Sequence, residues 1–164
     1  MLYHALSLKQ PWAALLAAGV KTVEVRRWTT SHRGQLLIHA ARVPDDRPEA
    51  WACVPDGLRE AARQEGGVVG VGTLESVKAY RAAEAFAADR PLHLNEPAWF
   101  EPRGLFGFVF TGLHPLPYHQ VPGYVRVFRV ELDGLDLPGE AEPAGLVAVW
   151  RRFRRLARSL GKEE

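Results

Sequence analysis

The sequence predicts an α+β domain in which a small mixed or antiparallel barrel is decorated by helices. Three observations carry this. Short strand-like runs are scattered among helix formers without the regular alternation of a doubly wound parallel sheet. The run GGVVGVGTLESV combines valines with glycines at 66, 67, 70 and 72, the mark of a strand with a bulge or a close backbone approach. The last stretch, PAGLVAVWRRFRRLARSLGK, has apolar residues at helical spacing.

In order along the chain, PWAALLAA (residues 11–18) is rich in helix formers, with Pro11 at the first helical position and Gly19 at the end. VEVRRW follows as a strand, Val23 and Val25 alternating with Glu24 and Arg26. TSHRG reads as a turn, and QLLIHAA as a mostly buried strand carrying His39. Residues 44–66 mix Pro, Asp and Gly with short helical pieces. After the glycine-rich strand, helix formers return at 76–88, and DRPLHLNEPAWFEPRG reads as a loop. LFGFVFTGL is a strand, PLPYHQVPGYV a proline-rich connection, and VRVFRVEL a strand with Val125, Val127 and Phe128 as core candidates. In the closing helix Leu146, Trp150, Phe153, Ala157 and Leu160 recur every three or four residues.

A length of 164 residues fits one domain, 1–164, able to bury a core without staples. Cys53 is the only cysteine, so no intrachain disulfide forms. MLYHALSLKQPW lacks the features of a signal peptide, and no run approaches the roughly 18 apolar residues of a membrane span. A cytoplasmic protein with no membrane partner is expected.

The glycine run lacks the Lys-Ser/Thr of a phosphate loop. His114 and His119 have no cysteine or acidic cluster beside them, so no metal site is expected, and no cofactor motif is present. A net charge of +2 is too mild to identify a nucleic-acid binder by itself. Its distribution says more: arginines gather at 26, 27 and 33 and again from 151 to 158, and arginine suits bidentate phosphate contact and stacking.

One constellation stands out. Trp12 and Trp28 flank Lys21, Glu24, Arg26 and Arg27. Aromatics beside cations suit a nucleobase, stacked on a ring while polar groups address its edge. Glu24 can accept from an amino group, as a carboxylate does from cytosine, and Lys21 can meet a phosphate or polarise a carbonyl. The same spacing also fits two core tryptophans and a surface ion pair.

The stretch from Ala5 to Ala41 closely resembles the start of ASCH domains (activating signal cointegrator homology), of the PUA-like superfamily. The resemblance rests on Leu6, Ser7, Gln10, Pro11 and Trp12, then Gly19, Lys21 and Glu24, then Arg33 and Gly34, and the Leu37–Ala40 strand. It covers about residues 4–132, strongest in the first forty, and leaves a helical extension at about 143–161 outside it. It implies a small PUA-like β-barrel with a helix against it and a cleft beside that helix. In the family this cleft is lined by the Gly-x-Lys-x-x-Glu segment and is proposed to bind RNA or a modified nucleoside. The ligand-binding set implied here is Gln10, Pro11, Trp12, Gly19, Lys21, Glu24, Arg26, Trp28, Arg33 and His39. Some small bacterial relatives are amidohydrolases acting on acetylated cytidine, with a Lys, a Thr three residues on and a distant Glu. Lys21 matches the first, Glu24 stands where the Thr would be, and only Glu75 or Glu84 offers itself as the third.

Three functions follow. The first is a binding module for RNA, with DNA possible, in which a tryptophan stacks, Lys21 and Glu24 address the base, and Arg26, Arg33 and the C-terminal arginines contact phosphate. The second is a nucleoside amidohydrolase in which Lys21 activates water or attacks while Glu24 shuttles the proton. The third is a protein-contact element on the C-terminal helix.

Overall fold

The computed structural model describes residues 1–138. The predicted helix at 143–161 and its arginines lie outside the described residues. Six strands form one sheet: β1 (Leu2–Leu8), β2 (Val23–Arg26), β3 (Gly34–Ala40), β4 (Gly67–Tyr80), β5 (Leu105–Gln120) and β6 (Val127–Glu131). Their order is β2-β5-β4-β3-β1-β6. Only β1 and β3 run parallel; the other ladders are antiparallel, so the sheet is mixed as the sequence predicts. Helices α1 (Trp12–Ala17), α2 (Pro48–Ala52), α3 (Ala83–Ala88) and α4 (Arg90–His93) and three single 3-10 turns fill the connections.

The expected barrel does not close. β2 and β6 are the two edges and share no ladder. β6 pairs with β1 only from Leu2 to Leu6, leaving Ser7 beyond its reach. There the guanidinium of Arg26, on the opposite edge strand, donates from Nη2 to the Ser7 carbonyl at 2.6 Å. A side chain spans the seam that a longer strand would have zipped.

Two expectations are corrected by strand length. Residues 76–80 continue β4 instead of opening a helix, because Ser76 to Tyr80 pair with Val109 to Leu105 of β5. The proline-rich connection is largely strand as well. β2 pairs with β5 only from Phe106 to Val109, so Pro115 and Pro117 sit on a free edge, where a missing N–H costs nothing. Val125, expected in the core, is 85% exposed, while Phe128 is buried. Arg126 between them has φ +61, and this left-handed residue turns the chain before β6 begins.

The six residues of α1 are all buried and lie on β3, β4 and β5. The glycines of β4 permit this approach. A Cβ on Gly70 would stand 2.5 Å from the Ala17 Cβ and 2.9 Å from the His114 carbonyl oxygen. The register shifts between Val68 and Gly70 and again between Val71 and Thr73 are the bulges expected of this run. Gly70→Ala should therefore lower stability by about 1–3 kcal/mol, since neither neighbour is a flexible side-chain end. Urea unfolding checks this; an unchanged midpoint would show that α1 is not seated against the β4 backbone as described.

Candidate functional site

Helix α1 ends at Gly19, in the left-handed conformation at φ +69, and the chain doubles back. The N–H groups of Val20 and Lys21 both reach the Leu15 carbonyl, at 3.0 and 3.2 Å. Lys21 is thereby turned inward beside the helix it has just left. Its side chain is 1% exposed, and Nζ donates to Glu24 Oε2 at 2.6 Å. Burial pushes the Lys21 ammonium below its ordinary range, against the attraction of Glu24. The ammonium also stands 4.6 Å from the centre of the Trp12 ring, a cation–π contact out of water.

Arg26 completes the cluster. Its Nε lies 3.1 Å from Glu24 Oε1, yet the N–H is not aligned on that oxygen and, buried, has no hydrogen-bond acceptor. Glu24 thus keeps accepting capacity at Oε1, and beside it stands an unused donor. Buried polar groups are usually satisfied, so an orphan of this kind asks for a reason.

These side chains open on a cleft of about 230 Å³ lined by Lys9, Trp12, Lys21, Glu24, Val25, Arg26, Asp45, Arg47 and Asn95. Four cations face two carboxylates, leaving a positive surplus. One wall is built by Asp45. Its carboxylate accepts from Trp12 Nε1 at 2.8 Å and from Arg47 Nε at 2.9 Å, and these donors, Arg47 first, hold its carboxyl well below the usual range. Arg47 in turn covers the Trp99 ring at 3.8 Å, and Trp99 meets Trp12 edge-on.

Of the residues expected to bind, the structure gathers Trp12, Lys21, Glu24 and Arg26 in this cleft. Trp12 is buried, with Lys21 over its ring and Trp99 perpendicular to it, so it forms the wall of the cleft. Trp28 lines a second cleft of about 410 Å³ with Ser7, Arg26, Tyr124, Val125 and Arg126.

Gln10 and Pro11 line neither cleft. Fully buried, Gln10 accepts from the Ala14 N–H and donates to the carbonyls of Ala61 and Gln64, which makes it a brace. Gly19 turns the helix end, and exposed Arg33 closes its own turn on the carbonyls of Thr30 and His32. Nor do Glu75 and Glu84, both exposed, line either cleft. His39 lines neither cleft; it is buried, in contact with Ser7 of the second. Its Nε2 must donate to the Val121 carbonyl at 3.0 Å, since a carbonyl only accepts. Its Nδ1, in the neutral ring that burial favours, accepts from the Ser7 hydroxyl at 2.9 Å.

Sequence reasoning passed over Lys9, Asp45, Arg47 and Asn95. The signal available was DDRPE, an acid two residues before an arginine at a proline-led helix start. Among the described residues no three His, Cys, Asp or Glu side chains are grouped to hold a metal, and no helix is long and apolar enough to cross a membrane.

A family model for the ASCH domain matches residues 6–121. The chain belongs to the ASCH domain family. It is similar to Activating signal cointegrator 1 of Mus musculus and of Homo sapiens, each 60% identical over 35 residues, or 21% of this chain and 6% of the relative. It therefore matches only a small part of those proteins. Among solved structures, the ASCH protein of Zymomonas mobilis aligns with a TM-score of 0.51 at 20% identity, covering 72% of this chain and 73% of that one. A substituted form of the same protein aligns at 0.51 with 17% identity, covering 72% and 75%. At these identities the likeness is one of fold.

Two predictions follow from the geometry. Glu24→Ala strands a buried ammonium and should cost about 3–5 kcal/mol, whereas the pair Lys21→Met with Glu24→Leu should recover most of that loss. Urea unfolding of the three proteins checks it, and equal stability of the single and double variants would contradict it. The second concerns acid. Burial lowers the pKa of His39 and His93 from 6.5, so below pH 6.5 the unfolded chain takes up protons that the folded one refuses. Stability present above 6.5 should fall as pH drops toward the folded values, and Asp45, also lowered, adds a further loss below 3.8. Unfolding midpoints at pH 7.5 and pH 5 test this, and a midpoint that rises on acidification would reverse the sign.

Proposed function

We propose that the first cleft holds one base of single-stranded RNA, with preference for a base that carries an amino group. The observation that carries this is the unpaired Arg26 Nε–H beside the free capacity of Glu24 Oε1, a donor and an acceptor side by side in a buried recess. Cytosine and adenine present an amino donor, and their Watson–Crick edges place a ring-nitrogen acceptor next to it; uracil has no amino group. Burying the Lys21–Glu24 pair is at best neutral for stability, so its retention is better explained by recognition. The positive surplus, with Lys9 exposed at the rim, serves the phosphates. Membership of the ASCH family supports the reading through the cleft that the family is proposed to use.

Fluorescence anisotropy with labelled oligo-C, oligo-A and oligo-U of equal length tests it, with single-stranded DNA as competitor. Affinity should fall linearly with the logarithm of salt, and C or A should exceed U. Lys9→Glu, on an exposed side chain, should weaken all three oligomers and lower the salt slope by about 1. Absent binding at low salt, or binding indifferent to base identity and to Lys9→Glu, overturns the proposal; DNA competing equally shows that the sugar is not read.

A second reading draws on the desolvated Lys21 ammonium held 2.6 Å from a carboxylate. Such a pair can move a proton during hydrolysis of a nucleoside amide. Incubation with acetylated cytidine and chromatography for cytidine decides it: turnover abolished in Lys21→Ala supports an amidohydrolase, and its absence in the intact protein removes one.

A further inference from the structure

We propose that the chain reads two successive nucleotides, the second cleft taking the neighbouring base and the phosphate between them, with Arg26 at the joint. This rests on the first cleft holding a base. Arg26 lines both clefts, reaching Glu24 on one side and the Ser7 carbonyl on the other. The phosphate that links two bases lies between them, and a guanidinium common to both recesses is placed where that charge must pass.

The second cleft has the chemistry of a stacking subsite. Trp28 stands on Phe108, edge to face at 5.1 Å, and both Arg26 and Arg126 lie within 6 Å of its ring centre. Tyr124 is 60% exposed and leans on Phe128. No carboxylate lines this cleft, and Arg126 has no ion-pair partner among the described residues. An unpaired Arg126 beside aromatic rings, with Arg26 spending its carboxylate contact on the first cleft, suits a planar base that brings its own negative charge.

The loop bearing Tyr124 and Arg126 is pinned in place. Val121 donates to the Gly66 carbonyl and accepts from His39. Gly123 lies so close over the same imidazole that a Cβ there would stand 2.3 Å from the ring. His39 thus serves as a positioning residue for the second cleft, not as a ligand contact. The left-handed backbone at Arg126 then sets its guanidinium toward Trp28 and away from the sheet that follows.

Titration of the protein with cytidine, CpC and CpCpC, followed by NMR chemical shifts and tryptophan fluorescence, tests the footprint. CpC should bind at least about tenfold tighter than cytidine, with CpCpC adding little, and should quench fluorescence in the intact protein but not in Trp28→Phe. In Tyr124→Ala and Arg126→Ala, both on exposed side chains, the ratio of CpC to cytidine affinity should fall toward one. A ratio near one in the intact protein, or one that survives both substitutions, overturns the two-nucleotide footprint and leaves the single-base cleft standing. If neither cytidine nor CpC binds, both readings fall together.

Discussion

The placement of the cleft depends on one buried amide. Gln10 joins the end of β1, the first turn of α1 and the turn at residues 61–64 through three hydrogen bonds, and its own carbonyl accepts from the Asp45 N–H at 2.7 Å. The side chain ties the start of α1 to the turn at residues 61–64, more than fifty residues on, and the backbone of the same residue holds the chain at Asp45. Trp12 is two residues on, so the amide that seats the helix also seats the wall of the cleft. Asp45, held to the Gln10 carbonyl, returns to that wall through its bond to the Trp12 indole. The Gln10 amide is fully buried, where an unmade hydrogen bond is expensive. The arrangement therefore tends to be whole or lost.

Within that frame the charged cluster is an unusual use of interior space. Lys21 and Glu24 occupy buried positions where apolar side chains would pack more simply, with Arg26 partly buried beside them. The short loop between α1 and β2 makes this possible, because it delivers Lys21 before β2 has begun and leaves Glu24 on a strand paired only on one side. With two cations to one carboxylate, the cluster is left short of negative charge. On the proposed reading, that is the deficit a phosphate or a polar base edge would meet.

Much of this was legible in the sequence and some was not, for identifiable reasons. The helix at 11–18, the strands through Glu24 and His39 and the glycine-rich β4 follow from local periodicity and from glycine's tolerance of close approach. Lys21 and Glu24 were found together because they are three residues apart. Asp45, Arg47 and Asn95 were not, since their neighbours in space come from distant parts of the chain and a single sequence records no such proximity. The internal partners of Gln10 and His39 were not legible for a related reason: a polar side chain that braces and one that binds look alike until its partners are known. The proline-bearing half of β5 was hidden because it is an inner strand along one stretch and an edge along the next. Sequence does not announce where a partner strand stops.

The open seam between β2 and β1 has a mechanical consequence. A closed barrel holds its walls apart at a distance set by its ladder, whereas here the two margins are joined by side chains, Arg26 on the Ser7 carbonyl and Arg126 over Trp28. The margins can respond to each other only through what lies between them. A ligand that engages both would act as a strut, completing a circuit of contacts that the backbone leaves unfinished. Occupancy would then stiffen the whole sheet, and slow exchange of amide hydrogens far from the ligand would be its outward sign.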